Sequence, residues 1–424
     1  MNKVLIITYY WPPGSGAGVQ RWLKFAKYLP ASGWEPVILT VDPEFATYPA
    51  IDKSLLSEVS PDLKVYRTRA TDWFRMYKKD KTKIPSAGFA TNDKTGIAGR
   101  AIRFIRGNFF IPDPRRGWNK YALREASGLI DRGGIKHIIT TSPPHSTQLI
   151  GLKLKKRYPG ITWISDLRDP WTDIYYYNSF FHTLPARMID AKYERKVLKS
   201  ADRLITVGKT LKESFCRKLP GIENKIEVIT NGYDREDFSG LSTLKPDIFT
   251  ISYIGTLSDS YPMGGFIDAV DNLVKKGYSI RLRFVGSLSA RQQNLIRSKT
   301  DSSTTEFIPY VNHQDAIRYM MESSLLLLVI PEHYSNKSII TGKLFEYLAS
   351  SRPVLCIGPP DGDAADILRI TGHGKNAEFN DSETICSVIE GYFREGPTSD
   401  MQPPAEFSRE NLTLRLVSLL QKKV

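Results

Sequence analysis

Short apolar, β-rich runs alternate with helical stretches along almost the whole chain, and this alternation is what most limits the folds open to it. Such runs occur at 4–10, 36–41, 64–66, 137–141, 161–165, 203–207 and 225–229. The first is nearly continuously apolar, as a strand covered on both faces is. Segments with apolar residues at helical spacing lie between most of them, for example Val19, Trp22, Leu23, Ala26 and Leu29. Strand and helix in alternation predict a parallel α/β sheet. A second series follows Asn231-Gly232 and the polar stretch to Asp247, with strands at 249–254, 279–285, 306–310, 325–330 and 353–357. The fold class read from this pattern is α/β: two doubly wound, Rossmann-like domains facing across a cleft, with ligands at the carboxyl ends of the strands. The boundary falls near 240. Residues 1–240 form the N-terminal domain and 241–400 the C-terminal domain, and 401–424 hold a linker and a last helix. Ser408 caps that helix, and Leu412, Leu416, Leu419 and Leu420 share one of its faces.

A length of 424 residues suits two to three domains. The three cysteines, Cys216, Cys356 and Cys386, are far apart, without a CxxC or a neighbouring His cluster. They read as reduced thiols of a cytosolic protein with no zinc site. The opening MNKVLIITYYWPP has the character of a first strand rather than a signal peptide, and the run at 325–330 is far too short to cross a bilayer. The formal charge is +14 and is unevenly placed: 67–120 holds fourteen Lys and Arg against four acids. Aromatic and aliphatic residues interleave with that charge at Trp73-Phe74-Arg75-Met76-Tyr77-Lys78-Lys79, at Ala101-Ile102-Arg103-Phe104-Ile105-Arg106 and at Asn108-Phe109-Phe110-Ile111. The mixture suits an anionic membrane surface, with nucleic acid as the competing partner and a solvated charged face as the plainest alternative.

Four segments could carry chemistry. In SIITGKLFEYLASSRPVL, Thr341 and Gly342 open a helix whose free N–H groups and dipole suit a phosphate. Glu346 sits one turn deeper on the same face, where its carboxylate could accept hydrogen bonds from two ribose hydroxyls. The plain alternative is a turn glycine and a solvated glutamate. The PPGSGAG loop places Gly14, Gly16 and Gly18 between a strand and a helix, allowing close approach of a ligand to the backbone. It is not the dinucleotide fingerprint, and Asp42 is the nearest acid to the end of the second strand, so a nicotinamide-dependent oxidoreductase is disfavoured. His145 follows the strand HIITT in TTSPPHST, at the carboxyl edge of the first sheet, where an imidazole can hydrogen-bond a sugar hydroxyl or a developing charge. WISDLRDPWTD sets Asp166, Arg168, Asp169 and Asp173 beside Trp171, suiting either polyol acceptor binding or a salt-bridge cluster.

These residues, in this order, resemble the retaining GT-B glycosyltransferases of the family-4 type. The resemblance spans nearly the whole chain: the glycine-rich first loop, His145, NGYD at the hinge, Gly255-Thr256, the KLFEYLASSRPV block and the final helix, which in that family crosses back to the first domain. It implies an acceptor-binding N-terminal domain and a nucleotide-sugar-binding C-terminal domain. It further implies catalytic roles for His145, Lys343 and Glu346, and donor contacts from Gly16, Gly255, Thr256, Tyr310, Lys337, Ser338, Thr341 and Gly342. Asp166, Arg168, Asp169 and Trp171 are left to the acceptor. Two departures stand out: Ser338 occupies the place of the family's first glutamate, and GTLSDSYPMGG lacks the Arg and Lys that usually grip the diphosphate, leaving Lys337 or Lys343 for that task. The implied activity is metal-independent transfer with retention, without a cofactor, from a nucleotide-diphosphate sugar to a glycan or lipid-linked acceptor in surface polysaccharide or glycan biosynthesis. The expected location is cytoplasmic and peripheral on the inner face of the cell membrane. A non-catalytic GT-B partner subunit is the alternative.

Overall fold

The computed structural model describes residues 1–71, 97–241, 246–301, 303–396 and 401–422. The aromatic-basic run at 73–79 and part of the linker at 397–400 lie outside them. The chain divides into two compact units, one of residues 1–231 with 409–424 and one of residues 232–408.

The first unit is built on seven parallel strands: β1 (Asn2–Ile7), β2 (Trp34–Val41), β3 (Lys64–Thr68), β4 (His137–Ser142), β5 (Thr162–Leu167), β6 (Arg203–Thr206) and β7 (Ile226–Val228). Their spatial order is β3-β2-β1-β4-β5-β6-β7. Alternate residues of a strand face opposite sides. Leu5 and Ile7 therefore join one apolar layer, with Trp118, Ile150 and Trp163, while Val4 and Ile6 join the other, with Trp22, Leu23 and Phe25. The helix Arg409–Gln421 completes that second layer with Leu412, Leu416, Leu419 and Leu420, the four residues whose spacing predicts it.

The second unit holds six parallel strands: β8 (Phe249–Ile254), β9 (Ile280–Val285), β10 (Thr305–Ile308), β11 (Leu325–Val329), β12 (Val354–Ile357) and β13 (Gly374–Ala377), in the order β10-β9-β8-β11-β12-β13. Every residue of β11 is buried; Leu325, Leu327 and Val329 enter one layer, and Leu326 and Leu328 the other. Strand β13 is absent from the sequence-based series. The units part between Asn231 and Gly232, nine residues before the expected boundary near 240. In each sheet the strand order reverses at one place, between β1 and β4 and between β8 and β11, and the crevice beyond those strand ends is where open α/β sheets bind ligands. Among the described residues no helix is long and apolar enough to cross a membrane.

Candidate active site

In the second unit three loops converge beyond the strand ends. The Gly255 N–H donates to the Val285 carbonyl at 2.7 Å, the Leu257 N–H to Ser287 at 2.9 Å, and the Glu332 N–H to Ser260 at 3.0 Å. Gly255 and Gly286 occupy left-handed backbone conformations, φ 125° and 122°. A Cβ on Gly286 would overlap the Gly255 carbonyl, and one on Gly255 would sit 2.8 Å from Lys343 Nζ. Bare backbone therefore forms the floor of the crevice. Gly286 went unnoticed in the sequence, although Val285-Gly286-Ser287 repeats the pattern of Ile254-Gly255-Thr256 after its own strand.

The helix Gly342–Ala349 begins beside that floor. Thr341 is its N-cap residue, but no side chain caps it, and the Thr341 Oγ1 is buried without a hydrogen-bond partner among the described residues. Lys343 Nζ donates to the Tyr253 hydroxyl at 2.8 Å and lies 4.1 Å from the centroid of the same ring. Burial pulls its pKa down to about 7, with the nearby Glu346 carboxylate opposing the shift. The structure thus joins Gly255, Thr341, Gly342, Lys343 and Glu346 at one sheet edge and adds Tyr253, whose hydroxyl also donates to the Thr256 carbonyl at 2.7 Å. Lys337 points elsewhere: it pairs on the surface with Asp361, whose pKa it lowers. The Ser338 hydroxyl donates to the Ser335 carbonyl at 3.2 Å. Tyr310 lies beyond the end of β10 with 76 % of its surface exposed.

In the first unit Gly16 caps the helix Ala17–Tyr28 at φ 106°, with no atom within 4 Å of where a Cβ would be. Gly18 is packed tightly, since a Cβ there would lie 2.7 Å from the Arg168 guanidinium. His145 begins a short 3-10 turn after β4, and its ring stacks on Trp171 at 4.8 Å. Neither ring nitrogen has a partner at hydrogen-bond geometry, although the Pro170 carbonyl favours the protonated form. Burial dominates and pushes the pKa down to about 3, so the imidazole is neutral.

The LRDPW block divides. Asp166 is fully buried in an ion pair with Arg21 at 3.1 Å, and it accepts from Trp22 Nε1 at 3.0 Å and Thr141 Oγ1 at 2.7 Å. Arg21 also donates to the carbonyls of Thr230 and Ile229. Asp166 is therefore corrected from an acceptor contact to a scaffold residue that ties β4 and β5 to the first helix, since none of its surface reaches a ligand. Trp171 is likewise buried, donating to Asp190 at 2.7 Å, and offers the interior its ring rather than an open stacking face. Arg168 and Asp169 are only half-buried at the strand edge, and burial pushes the Asp169 carboxyl upward. Asp190, which the sequence reading missed, accepts from Trp171 and from the Tyr177 hydroxyl at 3.0 Å, yet burial still raises it to about 7. It lies on the helix Leu184–Ser200 with nothing in its sequence surroundings to single it out.

Comparison with known proteins agrees with this layout. No curated protein sequence matches the chain. Among solved structures, HepE from Anabaena in complex with UDP superposes with a TM-score of 0.61 at 11 % identity, covering 99 % of both chains. The lipopolysaccharide outer core galactosyltransferase WaaB, apo form, gives 0.60 at 10 % identity, again over 99 % of both chains. A glycosyltransferase from Rickettsia africae ESF-5 gives 0.60 at 14 % identity over 100 % of this chain and 99 % of that one. These likenesses identify the fold as the two-domain α/β architecture called GT-B. The family model described as Glycosyltransferase Family 4 matches residues 18–237, more than half the chain, and with two parallel sheets of the expected kind, the chain belongs to glycosyltransferase family 4.

Proposed function

We propose that this protein transfers a sugar from a nucleotide-diphosphate sugar to a glycan or lipid-linked acceptor, with retention, in the synthesis of a surface polysaccharide or other glycan. The observation that carries the reading is the placement of Lys343 against Tyr253 and Gly255, at the uncapped start of the helix that bears Glu346. In this reading the N–H groups of Gly342 and Lys343 and the Lys343 ammonium hold the diphosphate, and Glu346 takes the ribose. The C1–O bond to the diphosphate breaks, the acceptor hydroxyl bonds to C1 from the same face, and its proton leaves with the diphosphate oxygen. Fixed donors around a departing anion are often the largest catalytic contribution. His145, neutral, hydrogen-bonds the transferred sugar, and Asp169 meets an acceptor hydroxyl. The UDP bound in HepE supports a uridine nucleotide as the first donor to try.

A membrane-facing acceptor is supported by the helix Ile97–Phe109, which is turned inside out. Ile102, Phe104, Ile105 and Phe109 are exposed while Arg103 and Arg106 are half-buried. An apolar outer face flanked by cations suits the interface of an anionic bilayer on the cytoplasmic side.

The test is UDP release from UDP-sugars without acceptor. Slow hydrolysis is expected, falling roughly 100-fold in Lys343→Met. Tight UDP binding with neither hydrolysis nor transfer from any donor would instead identify a non-catalytic partner subunit.

A further inference from the structure

One buried cation in the first unit has no ion-pair partner among the described residues. Arg115 keeps only 7 % of its surface exposed, its Nε has no hydrogen-bond partner, and its guanidinium enters no ion pair among the described residues. A buried charge left alone is costly and is retained where a ligand of opposite sign completes it. Arg115 lines a cavity of about 70 Å³ together with Arg106, Tyr10, Trp171 and Tyr176. A single water needs roughly 10–15 Å³ on this measure, so the space admits a phosphoryl group. Two carboxylates also border it; Asp113 favours the Arg115 charge through space, but neither forms an ion pair with its guanidinium. Asp113 accepts from the Arg115 N–H at 2.9 Å and from the Ser146 N–H and hydroxyl at 2.7 and 2.8 Å, while Asp190 is taken by Trp171 and Tyr177. Burial raises both, which disfavours their ionised forms.

The cavity adjoins an apolar face made by two elements locked together. Gly107 lets the helix Ile97–Phe109 approach Phe180, where a Cβ would meet the carbonyl at 2.6 Å. Asn108 then accepts from the Thr183 N–H at 2.7 Å and donates to the Phe181 carbonyl at 3.1 Å. These bonds hold the end of the helix Ile97–Phe109, where Ile105 and Phe109 are exposed, to the start of the helix Leu184–Ser200, where Leu184 and Met188 are 75 % and 71 % exposed. Arg106, whose guanidinium lies 4.6 Å from the centroid of the Phe180 ring, and Phe180 line the cavity and belong to these same two joined segments.

We propose that the cavity at Arg115 and Arg106 binds the phosphate or diphosphate of a lipid-linked acceptor, whose hydrocarbon chain lies along the apolar face of Phe109, Leu184 and Met188. This rests on the glycosyltransferase reading for the word acceptor, but binding is tested without transfer. The full chain is titrated calorimetrically with farnesyl diphosphate, farnesol and inorganic pyrophosphate, as wild type, Arg115→Gln, Arg115→Lys, Lys343→Met and Leu184→Ser/Met188→Ser. Farnesyl diphosphate is expected to bind wild type and Lys343→Met alike. Its affinity should fall at least about tenfold in Arg115→Gln, the worth of one charge-assisted hydrogen bond, and recover substantially in Arg115→Lys. The surface double variant, which leaves the interior intact, should weaken farnesyl diphosphate and not pyrophosphate. Unchanged affinity in Arg115→Gln overturns the proposal, as does loss of binding in Lys343→Met, which would put the ligand in the donor crevice. Equal affinity for pyrophosphate and farnesyl diphosphate in Lys343→Met overturns it too, in favour of a free-phosphate site. Failure to release UDP from any UDP-sugar would count against the transferase reading alone.

Discussion

Lys343 is the side chain whose behaviour with pH is most informative. Its folded pKa of about 7 lies well below the ordinary 10.5, so the free protein loses this positive charge as pH rises through neutrality. The unfolded chain holds the proton more tightly between about pH 7 and 10.5, so the lysine lowers stability below that window and the penalty fades as pH rises across it. A bound diphosphate reverses the preference and draws the proton back. UDP binding at pH 8 is therefore expected to take up close to one proton, measured by calorimetry in buffers of different ionisation enthalpy, and affinity should fall by up to about tenfold per unit above pH 7. Lys343→Met should bind more weakly, with no proton uptake. The placement of Lys343, Glu346 and Gly255 at a strand edge and helix start was legible, because a helix start, a carboxylate one turn on and a strand-end glycine are local patterns. Arg115 was not: among fourteen basic residues in 67–120, nothing local tells which one the fold will enclose. Asp166 misled for the same reason, since its partners Arg21, Trp22 and Thr141 come from distant parts of the chain.

At the scale of elements, strands buried on both faces were readable from composition alone, β11 most plainly. Strand β13 escaped because Gly-Lys-Asn-Ala at a sheet edge carries almost no apolar signal, and its place is set by pairing with β12. The basic segment was visible as charge, but the inward turn of Arg103 and Arg106 depends on packing against the turn Tyr177–Phe180 and the helix Leu184–Ser200. That helix yields a prediction of its own. Phe104→Ser/Phe109→Ser removes exposed apolar surface from the Ile97–Phe109 helix. Sedimentation with phosphatidylglycerol-containing vesicles should drop at least several-fold, since each aromatic, already partly buried, adds a fraction of the about 1.5–3 kcal/mol of full burial, while the melting temperature stays nearly unchanged. Equal sedimentation of variant and wild type would assign the vesicle contact to other residues.

For the whole molecule, the first unit is discontinuous in sequence: residues 1–231 are completed by 409–424, and the second unit lies between as one unbroken stretch. The returning helix places Leu412, Leu416, Leu419 and Leu420 at 0–4 % exposure in the first unit's core. At about 1.5–3 kcal/mol each, their burial rivals the roughly 5–15 kcal/mol by which a whole domain is stable. Truncation after Ser408 should therefore unfold or aggregate the first unit, seen in calorimetry as loss or a steep fall of one transition, with the other kept. A consequence reaches back to synthesis. On the ribosome, the later-encoded second unit has all its residues while the earlier-encoded first unit still waits for its closing strip, so assembly finishes in the reverse of the order in which translation began. Until that strip arrives, the nascent first half carries an open oily seam, and a nonsense codon anywhere before it leaves the seam uncovered for good.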